Sequence, residues 1–158
     1  MSTNNIGTFF ALLRGGLWGT EVLLNSNSTS DFYGLMQLAE NQSVVGLITA
    51  GLEHVCDVKV PKEELLQFIG QSLQLEQQNA EMNKFIGSLV KKMRKADIYA
   101  LLVKGQGIAQ CYEKPLWRSC GDVDLLLSGD NYQKAKAFLL PMASEVEPEG
   151  KYEQHLGL

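Results

Sequence analysis

The chain has 158 residues, 45 % of them apolar, which is enough to bury the core of one compact domain or two small ones and excludes a disordered chain. Fourteen basic and eighteen acidic residues leave a formal charge of −4, which argues against a broad nucleic-acid-binding face but leaves room for a local basic pocket. Cys56, Cys111 and Cys120 are odd in number and no two have C-x-x-C spacing, so three free thiols in a reducing compartment are expected rather than a disulfide framework or a zinc site.

The first residues, Met-Ser-Thr-Asn-Asn, carry neither a basic region nor an apolar leader run, and no stretch approaches the roughly 18 apolar residues of a membrane span. A soluble, cytoplasmic protein with no membrane partner is the expectation. Apolar residues at 6, 9, 10, 13, 17, 18 and 24 predict a helix over 6–24, weakened by Gly15, Gly16 and Gly19. A polar connection, 25–31, follows, with Ser30 or Asp31 as N-cap of a helix through Phe32, Leu35, Met36, Leu38 and Ala39. Another helix is predicted over 44–55. His54 on it reads as structural or exposed. Pro61 suits the first position of a further helix over 61–96, with Glu63 and Glu64 in its first turn and Lys91, Lys92, Arg94 and Lys95 in its last turns, as the helix dipole favours. That stretch reads either as one long helix or as two broken near Gly70. Residues 1–96 thus read as a helical bundle with no site in it.

From residue 97 the pattern changes. Residues 98–103, IYALLV, form an apolar strand-like run, followed by KGQG at the start of an amphipathic helix. Residues 122–127, DVDLLL, read as a second strand. Residues 131–140 read as a helix capped by Ser128 or Asp130 and stopped by Pro141, and 143–146 as a third strand. The predicted class is α+β: a helical region, 1–96, then strands and helices in a mixed sheet over 97–158.

The chemistry concentrates in this second part. On a strand, Asp122 and Asp124 point to one face. Two carboxylates side by side repel unless a cation lies between them, and Mg²⁺ takes one or two carboxylates together with substrate phosphates. The alternative is that the strand starts at Val123 or later and leaves both as loop or turn acids. Upstream, Lys104 and Gly105 stand between a strand and a helix. Glycine there allows a sharp turn and close approach to a ligand, and lysine adds a point charge for an anion. Arg118 is suited either to hold a phosphate or to pair with one of the aspartates.

The run ALLVKGQGIAQCYEKPLWRSCGDVDLLLSGDNYQKA, residues 100–135, resembles the uncharacterised bacterial nucleotidyltransferases of the DNA polymerase β-like superfamily. Lys104, Gly105, Tyr112, Pro115, Arg118, Asp122 and Asp124 carry the resemblance, which spans roughly 97–158. It implies a partial nucleotidyltransferase palm over 97–158 behind a helical region. It also implies Mg²⁺ (or Mn²⁺) on Asp122 and Asp124, and a nucleoside triphosphate at Lys104, Gly105, Gln106 and Arg118. Gly105 and Gln106 take the place of the superfamily's Gly-Ser pair. The implied reaction moves a nucleoside monophosphate from the triphosphate to an acceptor, which the sequence leaves open among a small molecule, an RNA end and a protein. The superfamily's third carboxylate has no clear counterpart among Asp130, Glu145, Glu147, Glu149 and Glu153, so the palm is expected to continue past residue 158. The alternatives are a nucleotide-binding module without turnover, and an interaction protein that works through its helices.

Overall fold

The computed structural model describes residues 3–24, 31–148 and 156–157. Ser30, Glu149 and Glu153 lie outside them. Helix α1 spans Thr3–Trp18, α2 Phe32–Asn41, α3 Val45–Glu53 and α4 Lys62–Lys95. Strand β1 follows at Ala100–Val103, then α5 at Gly105–Ala109, β2 at Asp124–Leu127 and α6 at Gly129–Leu139. Two short strands, β3 at Glu145–Val146 and β4 at Leu156–Gly157, complete the described chain. The α+β class holds.

The predicted first helix ends early. Gly19, with φ +62°, turns the chain, and Val22 then forms a parallel bridge with Val55. The glycines that weaken α1 as an isolated helix are what let it pack. A Cβ on Gly16 would run into the carbonyl of Leu47, and one on Gly51 of α3 into the carbonyl of Leu12. The two backbones approach so closely that a methyl group has no room. Asp31 caps α2, its Oδ1 accepting from the Gly34 N–H at 2.9 Å.

Helix α4 is continuous through Gly70. Its 34 residues extend about 50 Å at 1.5 Å per residue. Pro61 precedes it as N-cap, with φ −57° and ψ 138°, so the helix proper begins one residue later than predicted. Phe68, near its start, is buried with Phe9, Leu12, Leu35 and Ile48 in a first hydrophobic cluster. Leu89 and Met93, near its end, are buried with Ile98, Ala135 and Leu139 in a second. Between the clusters α4 buries two polar side chains, Ser72, whose hydroxyl donates to Thr49 Oγ1 at 2.7 Å, and Asn79, followed by Ile86. The basic residues at the end of α4 are exposed, as a solvated helix end.

Strands β1 and β2 pair antiparallel, in the register Ala100 with Leu127 and Val103 with Asp124. Strands β3 and β4 form a second antiparallel pair. The mixed sheet predicted from the sequence is therefore replaced, among the described residues, by two separate two-stranded antiparallel sheets. Twenty residues, 104–123, join β1 to β2, and they bring the start of β2 beside the end of β1, Asp124 opposite Val103, so the two strands run antiparallel. No helix among the described residues is long and apolar enough to cross a membrane.

Candidate functional site

Strand β2 begins at Asp124, so Asp122 lies on the segment leading into it and not on the strand. Of the two readings of this stretch, the later start of the strand holds for Asp122, which is not on it, whereas Asp124 opens the strand and is not a loop acid. The antiparallel ladder ends at the Val103–Asp124 pair, because the chain after Val103 turns away at once into α5. Residues two apart keep their α-carbons within about 7 Å in any conformation, so the two acids stay neighbours. Side-chain alternation puts Asp124 on the face of the exposed Leu126, opposite Leu125 and Leu127, which pack on the second cluster. The carboxylate at the head of an apolar run thus avoids the core, and Asp122 is exposed.

The β1–α5 corner meets the start of β2. Lys104 Nζ is 3.3 Å from Asp124 Oδ1, with the lysine side chain 73 % and the aspartate 35 % exposed. Lys104 has φ +50° and ψ −143°, a backbone that non-glycine residues seldom adopt and that costs on the order of 1–3 kcal/mol. The left-handed conformation that the sequence suggests for glycine therefore falls one residue earlier. Gly105 is needed for a different reason: a Cβ there would stand 3.1 Å from the carbonyl oxygen of Asp122.

Arg118 closes the corner from the other side. Its Nη1 donates to the carbonyls of Gly105 and Ser119, each at 3.2 Å, and to Cys120 Sγ. Its guanidinium lies 5.9 Å from the ring centroid of Tyr112. Burial lowers its pKa, but interactions with Cys120 and Tyr112 outweigh this and raise it above the ordinary arginine value, so the cation is permanent. Asp124 pairs with Lys104, and among the described residues no ion pair joins Arg118 to Asp122 or Asp124. Arg118 braces the backbone that carries Gly105.

The Gln106 side chain is turned inward. It is 3 % exposed, and its Nε2 donates to Asn79 Oδ1 at 2.7 Å, while Oε1 is buried without a hydrogen-bond partner. This removes its side chain from the phosphate role that the sequence suggested. Asn79 in turn donates from Nδ2 to the carbonyls of Leu116 and Arg118, both at 2.7 Å. Sequence reasoning saw no site in the helices and passed over Asn79. The available signal was its spacing: Ser72, Asn79, Ile86 and Met93 are buried at seven-residue intervals, so an amide stands on the buried seam that Ile86 and Met93 continue.

Comparison with known families fits this geometry. The sequence model of a family described as uncharacterised nucleotidyltransferase matches residues 28–157. The chain belongs to this family. The match starts well before the motif of residues 100–135, so much of the helical region falls within the family's pattern as well as the strands. No curated protein and no solved structure matches the chain.

For a nucleotidyltransferase-family chain, the donor set at Asp122 and Asp124 suits a hard divalent cation. Both are carboxylates, one exposed and one partly so, and two oxygen ligands leave coordination positions for water and phosphate. Among the described residues no group of three or more His, Cys, Asp or Glu side chains is placed to hold a metal. The third carboxylate is not found there.

Proposed function

We propose that the corner formed by Lys104, Gly105, Arg118, Asp122 and Asp124 binds a nucleoside triphosphate with Mg²⁺ or Mn²⁺ and serves nucleotidyl transfer. The observation that supports this most is the convergence, within one family-matched chain, of a lysine, a close-packed glycine and two aspartates on adjoining strand ends. Asp122 and Asp124 would hold the cation, which when bound offsets triphosphate charge and favours departure of pyrophosphate. Lys104, already beside Asp124, supplies a mobile positive charge for the phosphates, and Arg118 fixes the backbone at Gly105 against which they lie. In the transfer itself an acceptor oxygen bonds to the α-phosphorus, the bond to the bridging oxygen breaks, and the acceptor's proton leaves.

The test is release of pyrophosphate from each of the four triphosphates with Mg²⁺ and with Mn²⁺, in the presence of small-molecule, RNA and protein acceptor pools. Release by the wild-type chain that is lost in Asp124→Asn supports the reading. Release equal in both contradicts it. A second reading, nucleotide binding without turnover, is favoured by the two-carboxylate donor set and predicts tight binding with no pyrophosphate in any pool.

A further inference from the structure

Glu76 and Asn79 are three apart on α4 and so share a face of that helix. Both take hold of the short turn Pro115–Trp117 and the residue after it. Glu76 Oε2 accepts from the Trp117 indole N–H at 2.8 Å, and Asn79 donates to the carbonyls on either side of that tryptophan, Leu116 and Arg118. The backbone of Trp117 also lies directly over Gly46 of α3, where a Cβ would strike its carbonyl. From this anchored turn Arg118 reaches back to the Gly105 carbonyl. Gln106, the next residue after Gly105, returns to Asn79. The hydrogen bonds thus close a ring from α4 through the turn to α5 and back to α4.

The Asn79 amide is fully used: both N–H groups donate and the oxygen accepts, each at 2.7 Å. Yet the ring leaves Gln106 Oε1 buried and unpaired. Apolar residues at both positions would remove that defect and continue the seam between the two hydrophobic clusters. What the amides supply that leucines lack is directional hold on three separate segments.

We propose that Asn79 is a positioning residue of the candidate site, setting the turn that carries Arg118 against the Gly105 corner. Its functional meaning rests on the nucleotide reading above; its structural half rests on the hydrogen bonds alone.

The test compares the full chain with Asn79→Leu/Gln106→Leu, which removes both buried amides together. Three readouts apply: thermal melting, hydrogen exchange over residues 112–122, and calorimetric titration with each of the four nucleoside triphosphates and Mg²⁺. The double variant loses the unpaired Gln106 oxygen but also the donor of the Leu116 and Arg118 carbonyls, and is expected to melt a few degrees below the wild type, to exchange about tenfold faster over that segment, and to bind the triphosphate about tenfold more weakly. A melting point near the wild type's together with weakened affinity separates positioning from mere stability. A folded double variant with wild-type exchange and wild-type affinity overturns the proposal. If the wild-type chain binds no triphosphate, the nucleotide reading fails and the exchange comparison still decides the positioning claim. Where the double variant does not fold, Asn79→Ser carries the same comparison: faster exchange over 112–122 supports the proposal, and unchanged exchange overturns it.

Discussion

Lys104 Nζ lies 3.3 Å from Asp124 Oδ1, immediately beyond the register pair that joins Val103 to Asp124. The ammonium sits beside a carboxylate proposed to hold a cation. On the proposed reading, Asp124 would turn to the cation and Lys104 would be free to turn to the phosphates. Because the lysine side chain is 73 % exposed, the pair itself contributes less than about 1 kcal/mol to folding.

The strained backbone at Lys104 gives a first prediction. Lys104→Ala and Lys104→Gly both remove the charge, and both are expected to weaken triphosphate binding. Only glycine also relieves the φ of +50°. Lys104→Gly is therefore expected to be the more stable of the two by about 1 kcal/mol in urea unfolding. Equal stability would mean that the corner is not strained.

Gly105→Val tests the closeness of the corner to the aspartate segment. The added Cβ stands 3.1 Å from the Asp122 carbonyl, so backbone has to move. A loss of about 1–3 kcal/mol is expected, with weaker binding of Mg²⁺–triphosphate; Gly105→Ala should follow in the same direction with a smaller loss. Urea midpoints and calorimetry measure the two effects.

Arg118→Lys keeps the charge and removes the planar fork that serves Gly105, Ser119 and Cys120. A loss on the order of 1–3 kcal/mol is expected, together with weaker triphosphate binding. The pH dependence has a definite sign. A base whose folded pKa is raised contributes stability that is complete below its ordinary value and lost only above it. For a guanidinium that window is strongly alkaline, so the difference in melting temperature between wild type and Arg118→Lys should be constant from about pH 6 to pH 9.

Two glycines in helices should respond in opposite ways. A Cβ at Gly46 meets the Trp117 carbonyl, so Gly46→Ala should push the Arg118 turn off α3, lowering both stability and triphosphate affinity. A Cβ at Gly70 meets nothing within 4 Å, so Gly70→Ala should stabilise the chain by about 0.5–1 kcal/mol with affinity unchanged. Thermal melts of the two variants side by side make the comparison.

Local signals in the chain were legible where one residue decides the outcome. Asp31 as a cap, the acidic start and basic end of α4, and the strand-like runs before Lys104 and after Val123 were all readable in this way. Gly16 was legible only as a weak point of the first helix, because its role, like that of Gly51, is a contact between helices distant in sequence, which no helical period encodes. The sheet misled because strand, helix, strand normally implies a parallel crossover, whereas here the connection returns Asp124 to the end of β1 beside Val103, a tertiary outcome that the order of elements does not encode. At the site, the motif drew attention to Lys104, Gly105 and Arg118, and the structure brings these three to one corner, where Lys104 meets Asp124. The inward turn of Gln106 and the part played by Asn79 were not. Both depend on where α4 passes beneath the motif, a tertiary fact that neither segment carries alone.

The central claim, that Asp122 and Asp124 hold a cation with a triphosphate, is tested most directly by calorimetric titration. Each of the four nucleoside triphosphates with Mg²⁺ is titrated into the wild-type chain and into Asp122→Asn/Asp124→Asn, after melts show both to be folded. The account predicts saturable binding of at least one triphosphate by the wild type and at least a tenfold loss, about 1.4 kcal/mol, in the double variant. Binding of equal strength in the two chains would contradict it.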